Sequence, residues 1–241
     1  MTGSGSGRGK GPMVTGRSLG ELVATDDPAW PLVEEWMAGA SNRVEVLPRS
    51  EKSSEQALEY LQVTLRSPLG AMAYHTGGIL VDGGWLRLLG GGGGRRMTGG
   101  LKSWNDGSVE LLGPEGMQAL VVAHDVVGGF FALDGGMFGG RRGGVHYLAQ
   151  DTLEWEDLKL SYSDLLRWAF TGDLEGYYAD SRWPCWQEET QHLSGDEGLL
   201  IYPPLWAAEG GPLAERVRRT VPMTELWAAT HAWRAQPGPQ A

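Results

Sequence analysis

The sequence has one cysteine, Cys185, which excludes an intramolecular disulfide and fits a reducing compartment. No apolar run approaches the ~20 residues needed to cross a bilayer. The N-terminal stretch carries Arg8, Lys10 and Arg17 but no apolar segment of a secretory signal. These absences predict a cytoplasmic protein with no membrane partner. Positive charge is also scarce. Twenty Lys and Arg stand against 30 Asp and Glu, a net charge of −10. Phosphate backbones repel such a chain, so nucleic acid is a poor partner and a basic protein a better one.

Glycine is abundant instead, 38 of 241 residues, against a usual share of about 7%. Eleven tryptophans argue for a packed fold all the same. Residues 1–17 are rich in Gly and Ser and offer little to bury, so a disordered tail is expected there. A single domain is expected over 18–235, and a frayed tail over 236–241.

Asp27-Pro28 reads as an N-cap and first helical position, followed by Leu32, Val33, Trp36 and Met37 on one face. Residues 43–47 alternate as a short strand ended by Pro48. Ser53 with Gln56 forms a capping-box pattern ahead of a Leu58, Leu61, Leu65 stripe. AMAYH (71–75), ILV and WLRLL then read as short strands separated by TGG and DGG turns. ALVVAH (119–124), GFFALD (129–134) and VHYLA (145–149) form a second β unit with short, antiparallel connections. SYSDLLRWAF is the clearest helix, capped by Ser161 and Asp164. A final helix is expected over 221–229. The expected class is α+β, with a largely antiparallel sheet of about five or six strands and helices packed chiefly on one face.

Several motifs fail on their physical requirements. Gly90 to Gly94 ends in Arg95-Arg96, not in the Gly-Lys-Ser/Thr of a phosphate loop, and reads as a solvent loop. Gly16-Arg17-Ser18-Leu19-Gly20 matches a nucleophile elbow in spelling, but no strand delivers the serine, so Ser18 reads as a helix cap. Cys185 has no indicated base and reads as a buried thiol. No catalytic residue, metal site or cofactor is assigned.

Two groups of residues remain as candidates. His124, Asp125, Asp134 and His146 lie around the Gly-rich hairpin loops of 124–144, where a ligand could approach the backbone. Period-two geometry sends 124 and 125 to opposite faces, and both aspartates also fit as turn residues that bond local amides. The second group lies in an acidic band. Between 151 and 198, twelve acidic side chains face only Lys159, Arg167 and Arg182. Trp183 and Trp186 flank Pro184-Cys185 within it, beside Asp180, Glu188 and Glu189. Tryptophan among carboxylates suits an interface for a basic protein, while tryptophans folded inward would leave only a solvated face.

The strings DPAWPLVEEW, VEVLP, LQVTLRSPLGA, TGGILVDGGWLRLLG, VAHDVVGGFFALDGG, DTLEWEDLKLSYSDLLRWAFTGDLEGYY, RWPCWQEE and YPPLW resemble the bacterial family called domain of unknown function 2625. The resemblance runs from about residue 18 to 230 and implies no site residue. More distantly, the order of elements is similar to the SUKH superfamily, which implies a SUKH-like antiparallel sheet. Many members of that group are immunity proteins against toxins. Two functions are therefore expected in competition. One is a non-catalytic binding protein that holds a basic partner through Trp183, Trp186, Glu188, Glu189 and Asp180. The other is a small-molecule binder or enzyme with a site near His124, Asp125, Asp134 and His146.

Overall fold

A computed structural model describes residues 16–106, 112–113, 116–207 and 210–235. Most of the tail expected over 1–17, and all of 236–241, fall outside the described residues. Arg17 is tied down, since its N–H donates to Gln62 Oε1 at 2.7 Å. Ser18 caps α1 (Leu19–Val23), its N–H and hydroxyl both donating to Glu21 Oε2 at 2.8 and 2.7 Å. That is the cap role its sequence context indicates.

α2 (Trp30–Ala38) starts later than Asp27-Pro28 implied, with Ala29 as N-cap and Pro31 in its first turn. β1 (Val44–Leu47) stops before Pro48. α3 (Glu51–Leu61) opens at Ser50 and not at Ser53. The expected strand over 71–75 is a helix, α4 (Pro68–His75). Ser67 Oγ accepts from Gly70 N–H at 3.0 Å and Pro68 takes the first helical position. A start signal of this kind outweighs a short apolar run with no clear period.

β2 (Gly78–Val81) and β3 (Leu86–Leu89) form a hairpin across Asp82-Gly83-Gly84, where the two glycines hold φ of +68° and +90°. α5 (Leu101–Asn105) and a small hairpin, β4 (Leu112–Gly113) with β5 (Gly116–Met117), follow. Then come β6 (Ala119–Asp125), β7 (Phe130–Asp134), β8 (Gly144–Leu148) and β9 (Trp155–Ser161). The main sheet has seven strands in the order β1-β2-β3-β6-β7-β8-β9, and every neighbouring pair is antiparallel. The α+β class with an antiparallel sheet is therefore as expected. β9 is the added strand, an acidic, half-exposed edge that carries a weak apolar signal.

The strands β2, β3, β6 and β8 are buried along their whole length, so both faces of the sheet are covered. Phe131 and Tyr147 point to one face and meet Trp168 of α6 (Tyr162–Thr171) and Tyr177 of α7 (Leu174–Tyr177). The helices α2 and α4 pack against α6 on that side. Phe130 and His124 point the other way. They meet Trp104 of α5, and Phe130 also meets Trp227 of α9 (Met223–Arg234). A hairpin of β10 (Glu197–Tyr202) and β11 (Val217–Pro222) leads into α9. The larger group of helices thus shares one face, as expected, and α5 and α9 lie on the other.

Where β3 runs out beside β6, a side chain replaces the missing strand. Asn105 Oδ1 accepts from Val121 N–H at 2.8 Å, and Asn105 Nδ2 donates to Val121 C=O at 2.9 Å. Replacing Asn105 with leucine would leave two buried backbone groups unpaired, so about 2 kcal/mol of stability should be lost in urea unfolding. A variant as stable as the parent would show that water takes over those bonds.

Candidate ligand-binding cleft

The cleft is built where two distant segments meet. Gly90 to Gly94 is not a solvent loop. Its first three residues are buried and the run is threaded by backbone bonds, Gly91 N–H to Thr76 C=O at 2.8 Å and Gly93 N–H to Thr98 C=O at 2.9 Å among them. A Cβ at Gly90 would lie 2.3 Å from Thr76 Oγ1 and 2.6 Å from its carbonyl oxygen, so only glycine lets these strands of backbone pass. The run turns the chain into Thr98-Gly99 and then into α5, which presents Trp104.

Asp196 fastens this segment to the C-terminal one. Its Oδ2 accepts from Thr98 N–H at 2.6 Å and from the Thr98 hydroxyl, and its Oδ1 accepts from Gly99 N–H at 2.7 Å. Its own carbonyl accepts from Met223 N–H at 2.8 Å, at the first residue of α9. One residue therefore joins both walls of a cleft of about 470 Å³. Trp104, Met223, Trp227 and Ala228 make its apolar surface, and Thr98, Ser103 and Thr224 its polar edge. A second, more polar groove of about 310 Å³ shares Thr98 and Ser103 and continues past Ser53, Gln56 and the Lys102–Asp106 ion pair.

Directly beneath the apolar wall lie Arg87 and His124, paired across β3 and β6. Met223 Sδ is 3.8 Å from Arg87 Nη1, and the Trp104 ring lies 5.4 Å from the His124 ring. His124 is fully buried, and neither ring nitrogen makes a well-formed hydrogen bond among the described residues, although the Asp125 backbone lies close enough to favour its protonated form weakly. Burial, together with the adjacent Arg87 charge, holds the imidazole well below its ordinary pKa, so it is neutral. Burial pulls Arg87 down to about 10, which leaves it protonated at neutral pH.

The four residues expected around the 124–144 loops do not converge. His124 lies under the cleft, but Asp125 points to the opposite face of the sheet. There it accepts from Gly129 N–H at 2.8 Å, Val127 N–H at 3.1 Å and the Tyr147 hydroxyl at 2.7 Å. Burial raises its pKa, and these donors oppose the rise. Asp134 ends β7, while His146 lies in the middle of β8 opposite Ala132, and the two come together beside Gly140, where a Cβ would lie 3.6 Å from His146 Nε2 and 3.7 Å from Asp134 Oδ2. Asp134 is four residues from Phe130, the strand partner of His124, or roughly 13 Å along a strand. Asp134 Oδ1 accepts from Gly136 N–H at 2.7 Å in the turn it was expected to make, and His146 stacks on Phe138 at 4.3 Å. Among the described residues no group of three or more His, Cys, Asp or Glu could hold a metal ion.

The acidic band also arranges itself differently from an exposed interface. Trp183 and Trp186 are buried, with their rings 5.8 and 4.8 Å from Trp85. The Arg182 guanidinium stacks over Trp186 at 4.1 Å and pairs with Asp82. The large apolar surface of both tryptophans, expected as anchors for a partner, lies in the core. Glu189 accepts from Trp183 Nε1–H at 2.8 Å and pairs with Arg218 at 2.9 Å, so its charge is used internally. Asp180 and Glu188 remain exposed. Cys185 is exposed as well, opening α8 (Trp186–Thr190) from a left-handed conformation, and is not the buried thiol expected.

Sequence reasoning missed Asp196, Trp104, Met223 and Trp227 as one site. The only local signal was Met223, Trp227 and Ala228 recurring on one side of the last helix. No helix among the described residues is long and apolar enough to cross a membrane. No solved structure matches the chain. Escherichia coli strain K12 has a similar protein, "Putative uncharacterized protein YbfG", 42% identical over 213 residues, covering 88% of this chain and 94% of the relative. An "Uncharacterized protein" of Haemophilus influenzae is 33% identical over 216 residues, covering 90% of this chain and 94% of the relative. The family model described as "Protein of unknown function DUF2625" matches residues 19–226, and the chain belongs to that family.

Proposed function

We propose that the protein is a non-catalytic binder of a small, mainly apolar molecule, held between α5 and α9. The observation that carries this reading is the cleft of about 470 Å³ walled by Trp104, Met223 and Trp227. Its volume falls in the range of about 300–1,000 Å³ usual for small-ligand sites, and aromatic walls with a few polar groups are their common lining. Binding is favoured over catalysis because Asp196 is the one ionisable side chain in the lining, and both of its oxygens already hold the 98–99 backbone. The reading of a basic protein partner, immunity-type or otherwise, keeps only Asp180 and Glu188 of its five assigned residues as free surface charges.

Ala228 offers a clean test, since it lines the cleft yet is exposed on α9. Ala228→Trp should fill the cleft without disturbing the core. Indole and similar flat fragments are expected to raise the melting temperature of the parent and to leave that of Ala228→Trp unchanged. Equal shifts in both proteins, or none in the parent, would remove the cleft as the site.

A further inference from the structure

Arg87 lies in the middle of the sheet and is 1% exposed, yet no carboxylate lies within ion-pair reach of it among the described residues. Its Nε has no hydrogen-bond partner, and its Nη1 faces only a thioether, a weak acceptor. Asp125, one strand pair away, is on the other face and saturated by Gly129, Val127 and Tyr147. Asp125, Asp196 and Glu197 attract the guanidinium at longer range, but with no hydrogen-bonded carboxylate its burial stays costly, and a hydrocarbon side chain of similar size would pack there at lower cost. His124 sits beside it, also buried and also without a well-formed hydrogen bond. Two adjacent buried groups with free N–H donors, behind one wall of an otherwise apolar cleft, form a receptor for an anion.

That wall is Met223. It is unbranched, with rotatable bonds that let it change shape cheaply. Space for it is reserved by Gly198 on β10, where a Cβ would come within 2.5 Å of its sulfur. A turn of the Met223 side chain would therefore connect the cleft with the Arg87–His124 pair.

Resting on the cleft reading above, we infer that the ligand is a small monocarboxylate with a flat apolar body. Trp104 and Trp227 receive the body, and Arg87 and His124 receive the carboxylate once Met223 swings aside. Arg87 supplies the paired N–H donors that match two carboxylate oxygens. Neutral His124 supplies one N–H, so it adds a hydrogen bond without a second buried charge.

Indole-3-acetate and indole-3-acetamide have nearly the same shape and differ in charge, so they serve as probes, with tryptophan fluorescence or calorimetry as the readout. The parent should bind the acid at least about ten-fold more tightly than the amide, as a charge-assisted pair implies. Arg87→Met should bind both equally, with the amide's affinity retained. Met223→Ala should widen the preference for the acid, and this variant decides the matter if Arg87→Met does not fold. Equal affinity of the parent for both probes, or a preference unmoved in Met223→Ala, overturns the anion inference and leaves the cleft reading in place. Failure of both probes to bind the parent overturns the inference together with that reading.

Discussion

Replacing Trp85 with alanine should cost about 3–5 kcal/mol, the range for a large aromatic removed from a core. Trp85 is fully buried immediately before β3, and three aromatic rings surround it: Trp186 at 4.8 Å, Tyr178 at 5.5 Å and Trp183 at 5.8 Å. The Arg182 guanidinium also lies 4.8 Å from its ring. The substitution removes packing area, edge-to-face contacts and one face of the cation's enclosure together. Arg182 is largely buried and keeps its Asp82 partner, so the loss is a cavity and not a bare charge. Urea unfolding of Trp85→Ala and Trp85→Phe measures it, with the phenylalanine variant expected to lose clearly less. A deficit below about 1 kcal/mol in Trp85→Ala would mean that the 174–190 segment closes over the gap.

Acid should weaken the fold through His124. The unfolded imidazole takes up a proton below about pH 6.5, whereas burial first, and then Arg87, keep the native one neutral well below that. The unfolded chain then binds the extra proton, so stability falls as the pH drops. The contribution is fully present above pH 6.5 and declines from there towards the native pKa, by up to ~1.4 kcal/mol per pH unit for one proton. Burial lowers the pKa of His75 as well, which adds a part of the same sign. Unfolding free energies measured from pH 7 to pH 5 should therefore slope downward in the parent and much less in His124→Leu. Parallel curves for the two proteins would assign the slope to other groups.

Much of the sheet could be read along the chain because its strands are short apolar runs cut by glycine turns. ILV and WLRLL around Asp82-Gly83-Gly84 became β2 and β3, and the runs at 119–124 and 129–134 became β6 and β7. Period two alone sent His124 and Asp125 to different faces. It misled at 71–75, where Ala71, Met72 and Ala73 are all buried and Tyr74 and His75 both partly so, and no alternation separates helix from strand. β9 escaped notice because its exposed edge carries Glu156, Asp157 and Lys159 in place of an apolar pattern.

The cleft was hidden for a different reason. Composition makes tryptophans beside carboxylates look like an interface, but Trp85, far away in the chain, takes up Trp183 and Trp186. In the same way Asp196 reads as one more acid in a band, until its oxygens are found on Thr98 and Gly99. The glycine run at 90–94 signalled freedom, whereas here glycine answers a need for close backbone passage. Each of these roles is set by a partner that local patterns do not reveal.

The cover over the Arg87, His124 and Phe130 face arrives last during synthesis. All seven strands of the main sheet have been made once Ser161 is added, but α9 begins only at Met223. Until then a nascent chain can complete its sheet while that side is covered only by Trp104 of α5, with Phe130 lacking its Trp227 contact. That interval is an opportunity for chaperones and for aggregation. A chain stopped short of Met223 would hold all seven strands of the main sheet and lack the helix that seals this face.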